Sequence, residues 1–184
     1  STQLWERSFG EKVNSVAISA DGEYIFAGLD SDDVHFFNKN SSTPLWSVYR
    51  NGYSAQSVAI SADGVYMVSG SAHSDGGDIH FYNASRANEP NLKDAEWSYG
   101  FNEYVMSVSI SADGKYIVAG SYDNKVYLFD KDNPIVEPIW TYNAGTDLHN
   151  VVISSDGNYI TALDSMGVVY FFDKNSSTPL WSYD

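Results

Sequence analysis

A chain of 184 residues, 43% of them hydrophobic, can bury one core and is expected to fold as a single unit rather than persist as a disordered tail. Its formal charge of −14, from 24 acidic against 10 basic residues, repels phosphate backbones and anionic lipid, so nucleic acid is not an expected partner. No apolar run approaches the roughly 20 residues that span a bilayer, and the lack of cysteine removes disulfide, zinc-thiolate and thiol chemistry.

The chain opens Ser1-Thr2-Gln3, without Met or a charged-then-apolar leader, as expected of a processed or excised product. Leu4-Trp5 follows, and it recurs as Leu45-Trp46-Ser47, Glu96-Trp97-Ser98, Ile139-Trp140-Thr141 and Leu180-Trp181-Ser182. Three further apolar runs repeat between these segments. In the first unit they are Ser15 to Ser19, Tyr24 to Gly28 and Val34 to Phe37; with Leu45 to Tyr49 they are lettered here as strands A, B, C and D. The clearest copy is 107–130, SVSISADGKYIVAGSYDNKVYLFD, where Asp113-Gly114 and Tyr122-Asp123-Asn124 split the runs and predict tight turns in an antiparallel meander. The A–B turns carry Asp21, Asp63, Asp113 and Asp156, at intervals of 42, 50 and 43 residues. That spacing is close to the roughly 40 to 50 residues of a four-stranded propeller blade. The second unit is longer, through Ala72 to Asp78 and Asn83 to Ala95, and these loops are where asymmetry is expected to be functional.

Side-chain size supports the same architecture. Strand A alternates small with branched residues, while C and D carry Phe36, Phe37 and Trp46, or Tyr127, Phe129 and Trp140; small residues suit a crowded hub and large ones the widening gaps between blades. The expected fold is all-β: a β-propeller of four four-stranded antiparallel blades plus one extra N-terminal outer strand. It is read as one domain, 1–184, with the extra strand in 1–12 and blades at about 13–52, 53–102, 103–145 and 146–184. Five D runs against four of each other kind leave one outer strand surplus. An unpaired apolar edge invites another chain, so an arc completed by a second copy, half of a larger ring, or a fragment of a longer ring is expected in preference to a closed four-bladed disc.

The pattern SVAISADGxYxVAGSxDxxVxLFD resembles the WD40 repeat, with Phe37-Asn38, Tyr82-Asn83, Phe129-Asp130 and Phe172-Asp173 standing where that family has Trp-Asp. The LWSY strand followed by a polar turn is similar to blades of pyrroloquinoline-quinone-like (PQQ-like) propellers and archaeal surface-layer propellers. The likeness covers essentially the whole chain, but these families include scaffolds, envelope proteins and enzymes, so it implies a fold more than a function. The WD40 Gly-His pair ahead of strand A is absent.

Candidate chemistry is sparse. His35 and His80 occupy the strand C slot that Tyr127 and Tyr170 fill elsewhere, and read as packed aromatics with a polar handle. The B–C loops carry Asp30, Asp32, Asp33, Asp75, Asp78, Asp123 and Asp164, which the blade arrangement would gather on one face. Solvated turn residues account for them, with a docking face for a basic partner as the functional alternative. Calcium favours such oxygens, but the spacing of a dedicated calcium loop is missing, so no metal site and no cofactor is expected. There is no Gly-x-Ser-x-Gly elbow and no Gly-rich phosphate loop before a helix, and no catalytic residue is assigned. Asn40, Asn83 and Asn175 begin Asn-x-Ser triplets in C–D loops and are candidate N-glycosylation sites.

The expected function is that of a non-catalytic module for protein binding or self-assembly in a cell-surface or secreted setting. Its candidate carriers are the acidic loop face and the surplus strand at Leu4 and Trp5, which would make the chain a homo-oligomer. The alternatives are an enzyme or cofactor-binding propeller using the axial funnel, and an intracellular, cytoplasmic WD40-like scaffold.

Overall fold

The computed structural model describes residues 3–31, 33–50, 54–86 and 95–184. Sixteen strands form four separate antiparallel sheets, each running in sequence order from the first strand to the fourth. Blade 1 consists of β1 (Val13–Ile18), β2 (Tyr24–Leu29), β3 (Val34–Asn38) and β4 (Trp46–Val48). Blade 2 is β5 (Ser54–Ile60), β6 (Tyr66–Ala72), β7 (Gly77–Asn83) and β8 (Trp97–Phe101). Blade 3 is β9 (Val105–Ile110), β10 (Tyr116–Ser121), β11 (Lys125–Asp130) and β12 (Trp140–Asn143). Blade 4 is β13 (Leu148–Ile153), β14 (Tyr159–Asp164), β15 (Val169–Asp173) and β16 (Trp181–Tyr183). The only helical turn among the described residues is a 3₁₀ segment, Ala84–Arg86. The sheets are the four-stranded units that the repeat predicts.

The first turn of each blade follows from its residues. Asp21 Oδ1 accepts from Ser19 Oγ at 2.6 Å and from the Glu23 N–H at 2.9 Å, and Ser19 Oγ accepts the Tyr24 N–H at 3.0 Å. Gly22 takes the positive φ of 72° that closes this turn, and Gly64, Gly114 and Gly157 repeat it within a degree. At the start of each inner strand the register slips by one residue, beside Asn14, Gln56, Met106 and His149. His149 is therefore a bulge residue at the hub.

Each blade has a backward face toward the preceding blade and a forward face toward the next. On the forward face two rows run from hub to rim. The inner row is Ser15-Gly28-Val34-Val48 in blade 1, Ser57-Gly70-Ile79-Tyr99 in blade 2 and Ser107-Gly120-Val126-Tyr142 in blade 3. The outer row is Ala17-Phe26-Phe36-Trp46, Ala59-Val68-Phe81-Trp97 and Ser109-Val118-Leu128-Trp140. The apolar core lies between blades rather than within them: Phe26, Phe36 and Trp46 meet Val58, Met67 and Tyr82, and Val118, Val126 and Leu128 meet Val151, Ile160 and Phe172. Burying both faces of a sheet is why the B strands read as near-continuous apolar runs.

Three devices lock neighbouring blades. At the hub, serine hydroxyls accept N–H groups from the next blade: Val58 to Ser15 at 3.0 Å, Val108 to Ser57 at 3.1 Å and Val151 to Ser107 at 3.1 Å. Backbone bonds step from turn to turn, Ala20 to Ala62, Ala62 to Ala112 and Ala112 to Ser155, each about 3 Å long. At the rim, Trp46, Trp97 and Trp140 lie on Tyr82, Phe129 and Phe172 of the following blade, with centroids 5.7, 6.0 and 5.4 Å apart. The four blades form an open arc: among the described residues the inner strands pack in the succession β1, β5, β9, β13, and the forward face of blade 4 is left exposed.

The expected N-terminal outer strand is not formed. Residues 3–12 lie outside every strand, and the rim edge of β3 is taken by β4. They pack as side chains instead. Trp5 stacks on Phe37 at 5.7 Å and Phe9 lies on His35 at 4.8 Å, on the backward face of blade 1.

Candidate functional site

The acidic B–C loops differ in how their carboxylates are used. Asp30 is exposed at the hub, where Asn14 Nδ2 and Ser54 Oγ donate to it at 3.1 and 2.8 Å and hold its carboxyl below the usual range. Asp33 accepts the Arg50 N–H at 3.0 Å, tying the loop to the residues after β4. Asp75 receives Ser74 Oγ at 3.1 Å, and Asp78 lies 3.4 Å from His73 Nε2, both within the longer loop of blade 2. Asp123 accepts the Lys125 N–H at 3.2 Å and the Tyr127 hydroxyl. Asp164 is buried and takes the N–H groups of Met166 and Val168 at 3.0 and 2.9 Å, plus the Tyr170 hydroxyl at 2.9 Å. Asp32 lies outside the described residues. Asp30 and Asp75 thus present free carboxylate edge to solvent, whereas Asp33, Asp123 and Asp164 are spent on turn geometry. Among the described residues no group of three or more His, Asp or Glu side chains converges as metal ligands would.

The strand C slot is filled differently from blade to blade. His35 is buried and its Nδ1 lies 2.6 Å from Ser47 Oγ; burial pushes its pKa down. His80 is buried without a partner for Nδ1, and burial, reinforced by the Arg50 charge, pushes its pKa down to about 3, so it is neutral at pH 7. Burial and then the Asp123 bond push the Tyr127 phenol well up, and burial with the Asp164 bond pushes Tyr170 up to about 12. All four are buried and pack against neighbouring rings.

The candidate assembly residues Leu4 and Trp5 come to different places. Leu4 is exposed, while Trp5 is half-buried and donates Nε1–H to the Lys39 carbonyl at 2.6 Å. This contact copies one inside the arc: Trp140 Nε1–H donates to the Lys174 carbonyl at 2.7 Å, and both pairs are 34 residues apart. Trp5 therefore sits in the seat that an outer-strand tryptophan of a preceding blade would fill. Trp46 departs from this pattern, its buried Nε1 having no partner, because the matching stretch of blade 2 turns into the 3₁₀ segment.

At the other end of the arc, Trp181 and Tyr183 stand on the forward face of blade 4 with 49% and 75% exposure, next to Val152 at 51% and Leu163 at 37%. Reasoning from sequence passed over this face. The signal was present in the aligned repeats: Leu163 falls where Gly28, Gly70 and Gly120 stand, and Val152 where Ala17, Ala59 and Ser109 stand.

The three sequon asparagines are not equivalent. Asn40 and Asn175 are exposed and follow strand C by two residues, each donating Nδ2 to the last residue of that strand, Asn38 at 2.9 Å and Asp173 at 2.8 Å. Asn83 is itself the last residue of β7, and its Nδ2 donates to Glu96 at 3.1 Å.

Two segments, residues 5–38 and 97–130, match the family described as "WD domain, G-beta repeat". Each runs from a D-strand-type tryptophan to the last residue of strand C in the blade that follows, so residues 5–38 include Trp5 as part of the repeat. No curated protein matches the chain. Among solved structures, a chain from "Crystal Structure of Mitotic Checkpoint Complex" superposes with a TM-score of 0.76 at 18% identity over 93% of this chain. The match takes in 49% of that solved chain, so this protein spans about half its length. In all, 1631 solved chains match, and a fold so widely shared selects no function by itself. The chain has the β-propeller fold, with WD40-type repeats recognised over two of its segments.

Proposed function

We propose that the protein is a non-catalytic β-propeller module for protein binding, including self-assembly, in a cell-surface or secreted setting. The observation that carries this is the forward face of blade 4, where, among the described residues, an apolar surface of the kind buried three times inside the arc stands exposed. The structural likeness to a chain of a mitotic checkpoint complex, itself a protein assembly, supports a protein as the partner class. The setting rests on the surface-layer resemblance and on the charge of −14. The acidic loops add a smaller, salt-sensitive contribution through Asp30 and Asp75. No cofactor forms part of the proposal.

Site-specific photo-crosslinking tests it. With Tyr183 replaced by a benzophenone amino acid, the expected result is a covalent protein adduct, to a second copy or to another chain, and no adduct from the same probe at Asn175. An absence of adducts from Tyr183, or equal labelling from both positions, would overturn the proposal. The setting is checked by intact mass of protein from its source, where glycan at Asn40 or Asn175 is the expected finding.

A further inference from the structure

The three seams between successive blades are not alike. On their backward faces blades 3 and 4 pair Ala119 with Tyr127 and Ala162 with Tyr170, and each tyrosine places its hydroxyl on a carboxylate, Asp123 or Asp164. Blade 2 pairs Ser69 with His80 at the same level, and Ser69 Oγ lies 3.3 Å from the Tyr82 hydroxyl, so polar groups enter the seam with blade 1. His80 has no carboxylate in reach of this kind: it is 6% exposed and its Nδ1 makes no hydrogen bond. Across the seam blade 1 adds two further buried nitrogens without a hydrogen-bond partner, Trp46 Nε1 on β4 and Arg50 Nε just beyond it. Buried polar groups left in this condition weaken the contact that holds them.

The surroundings of His80 offer a proton no counter-charge. Blade 1 faces it with apolar side chains such as Val34, Val48 and Phe26, and among the described residues the charge that acts on it is the Arg50 guanidinium, which opposes a second cation. Within its own sheet its neighbours are Ser69 and Ser98, and Asp78, two residues along β7, is engaged by His73 at 3.4 Å. Burial and then Arg50 hold its pKa down to about 3 in the closed seam, whereas a solvated imidazole takes its proton near 6.5. The closed seam therefore binds this proton more weakly than the open one, and closure loses stability as pH falls below about 6.5 towards 3. The other buried histidine, His35, is on the backward face of blade 1, where it meets Ser47 and Phe9 and not blade 2.

We propose that the seam between blades 1 and 2 is an acid-responsive joint: on protonation of His80, blade 1 parts from blade 2 while the seams between blades 2 and 3 and between blades 3 and 4 stay closed. In those two seams the slot holds a phenol, which gains no charge on acidification. The joint lies inside the arc, so it works whatever covers the faces at either end, and it stands apart from the binding-module reading.

Amide hydrogen exchange of the full chain, followed residue by residue by NMR between about pH 6.5 and 4.5 and corrected for the intrinsic rate, tests it. The Val58 N–H, which donates to Ser15 across the first seam, is the reporter, with the Val108 and Val151 N–H groups for the second and third. Protection of Val58 is expected to fall by up to about tenfold per pH unit, the limit for uptake of one proton, while Val108 and Val151 change by less than about twofold. His80→Phe keeps a ring in the slot and abolishes the fall at Val58. Ser98→Asp places a carboxylate directly across the strand pair from the imidazole, gives the proton a partner and reduces the fall, so the test stands even if His80→Phe does not fold. His35→Phe leaves the fall at Val58 in place. No fall at Val58, an equal fall at all three reporters, a fall that persists in His80→Phe or is undiminished in Ser98→Asp, or one abolished by His35→Phe would overturn the joint.

Discussion

At the blade 1 end of the arc, Trp5 and Phe9 lie across Phe37 and His35, so a segment of the chain covers the rim half of the exposed sheet. At the blade 4 end, Trp181 stacks on its own strand neighbour Phe171 at 5.2 Å, and nothing among the described residues covers it. The two faces differ in what lies on them. A blade in this fold is apolar on both faces, so the first and last faces of an open arc are liabilities unless capped. On the backward face of blade 1, Trp5 and Phe9 cover the rim while the hub strand keeps Val16 and Ile18 exposed. The blade 4 end changes its hub residues, enlarging them until the standard neighbour no longer fits.

Transplanting the key residue sharpens this contrast most. Gly120→Leu puts the blade 4 residue into an occupied interface, where even a Cβ lies within 2.9 Å of Val151 and 3.1 Å of Leu148. Overpacking of this kind is expected to cost about 3 kcal/mol. The reverse change, Leu163→Gly, acts on a face without a neighbour and should cost about 1 kcal/mol, chiefly from the backbone freedom of glycine in a strand. Urea denaturation of the two variants measures both, and equal losses would mean that the two rows are not in different environments.

The tryptophan seats give a graded series. Trp140→Ala removes a ring that lies 5.4 Å from Phe172 and donates to Lys174 across a blade interface, and about 3 kcal/mol is expected to be lost. Trp5→Ala removes the matching contact to Lys39 from a segment that belongs to no strand, so about 1.5 kcal/mol is expected. Trp181→Ala touches only its own blade, and a change within about 0.5 kcal/mol follows at concentrations where the chain is monomeric. Melting of dilute samples ranks the three.

How much of this could be read without coordinates depends on which level the residues speak to. The four Ser-(Ala/Ser)-Asp-Gly turns and the recurring tryptophan specify strand order and blade number, because turn chemistry and apolar period are local and are written out four times. The pairing of Trp5 was harder. A short apolar pair reads equally as an edge strand or as a plug, and the contacts of Trp5 with Phe37 and the Lys39 carbonyl decide between them. The acidic loops were legible as charge but not as geometry, since Asp164 and Asp30 look alike in sequence while one is buried and accepts three hydrogen bonds and the other is exposed. Leu163 was readable in principle, yet a departure at one slot in four acquires meaning only once the three glycines are seen to touch the next blade.

The last expected effect concerns the backward, covered face of blade 4. Tyr170 lies on the backward face, where burial and the 2.9 Å bond to Asp164 push its phenol up to about 12 from a model-peptide value near 10. A raised folded-state pKa means that the folded protein binds this proton more tightly than the unfolded chain does. The stabilisation is therefore complete below pH 10 and is lost as pH rises from about 10 through about 12. Tyr170→Phe removes the ionisable group, so in the variant this part of the alkaline decline disappears, at the expense of one hydrogen bond, about 1 kcal/mol, at neutral pH. Thermal melts of Tyr170→Phe and of the parent chain between neutral pH and about pH 12 check this, and an alkaline decline unchanged in the variant would show that the bond to Asp164 does not hold the proton.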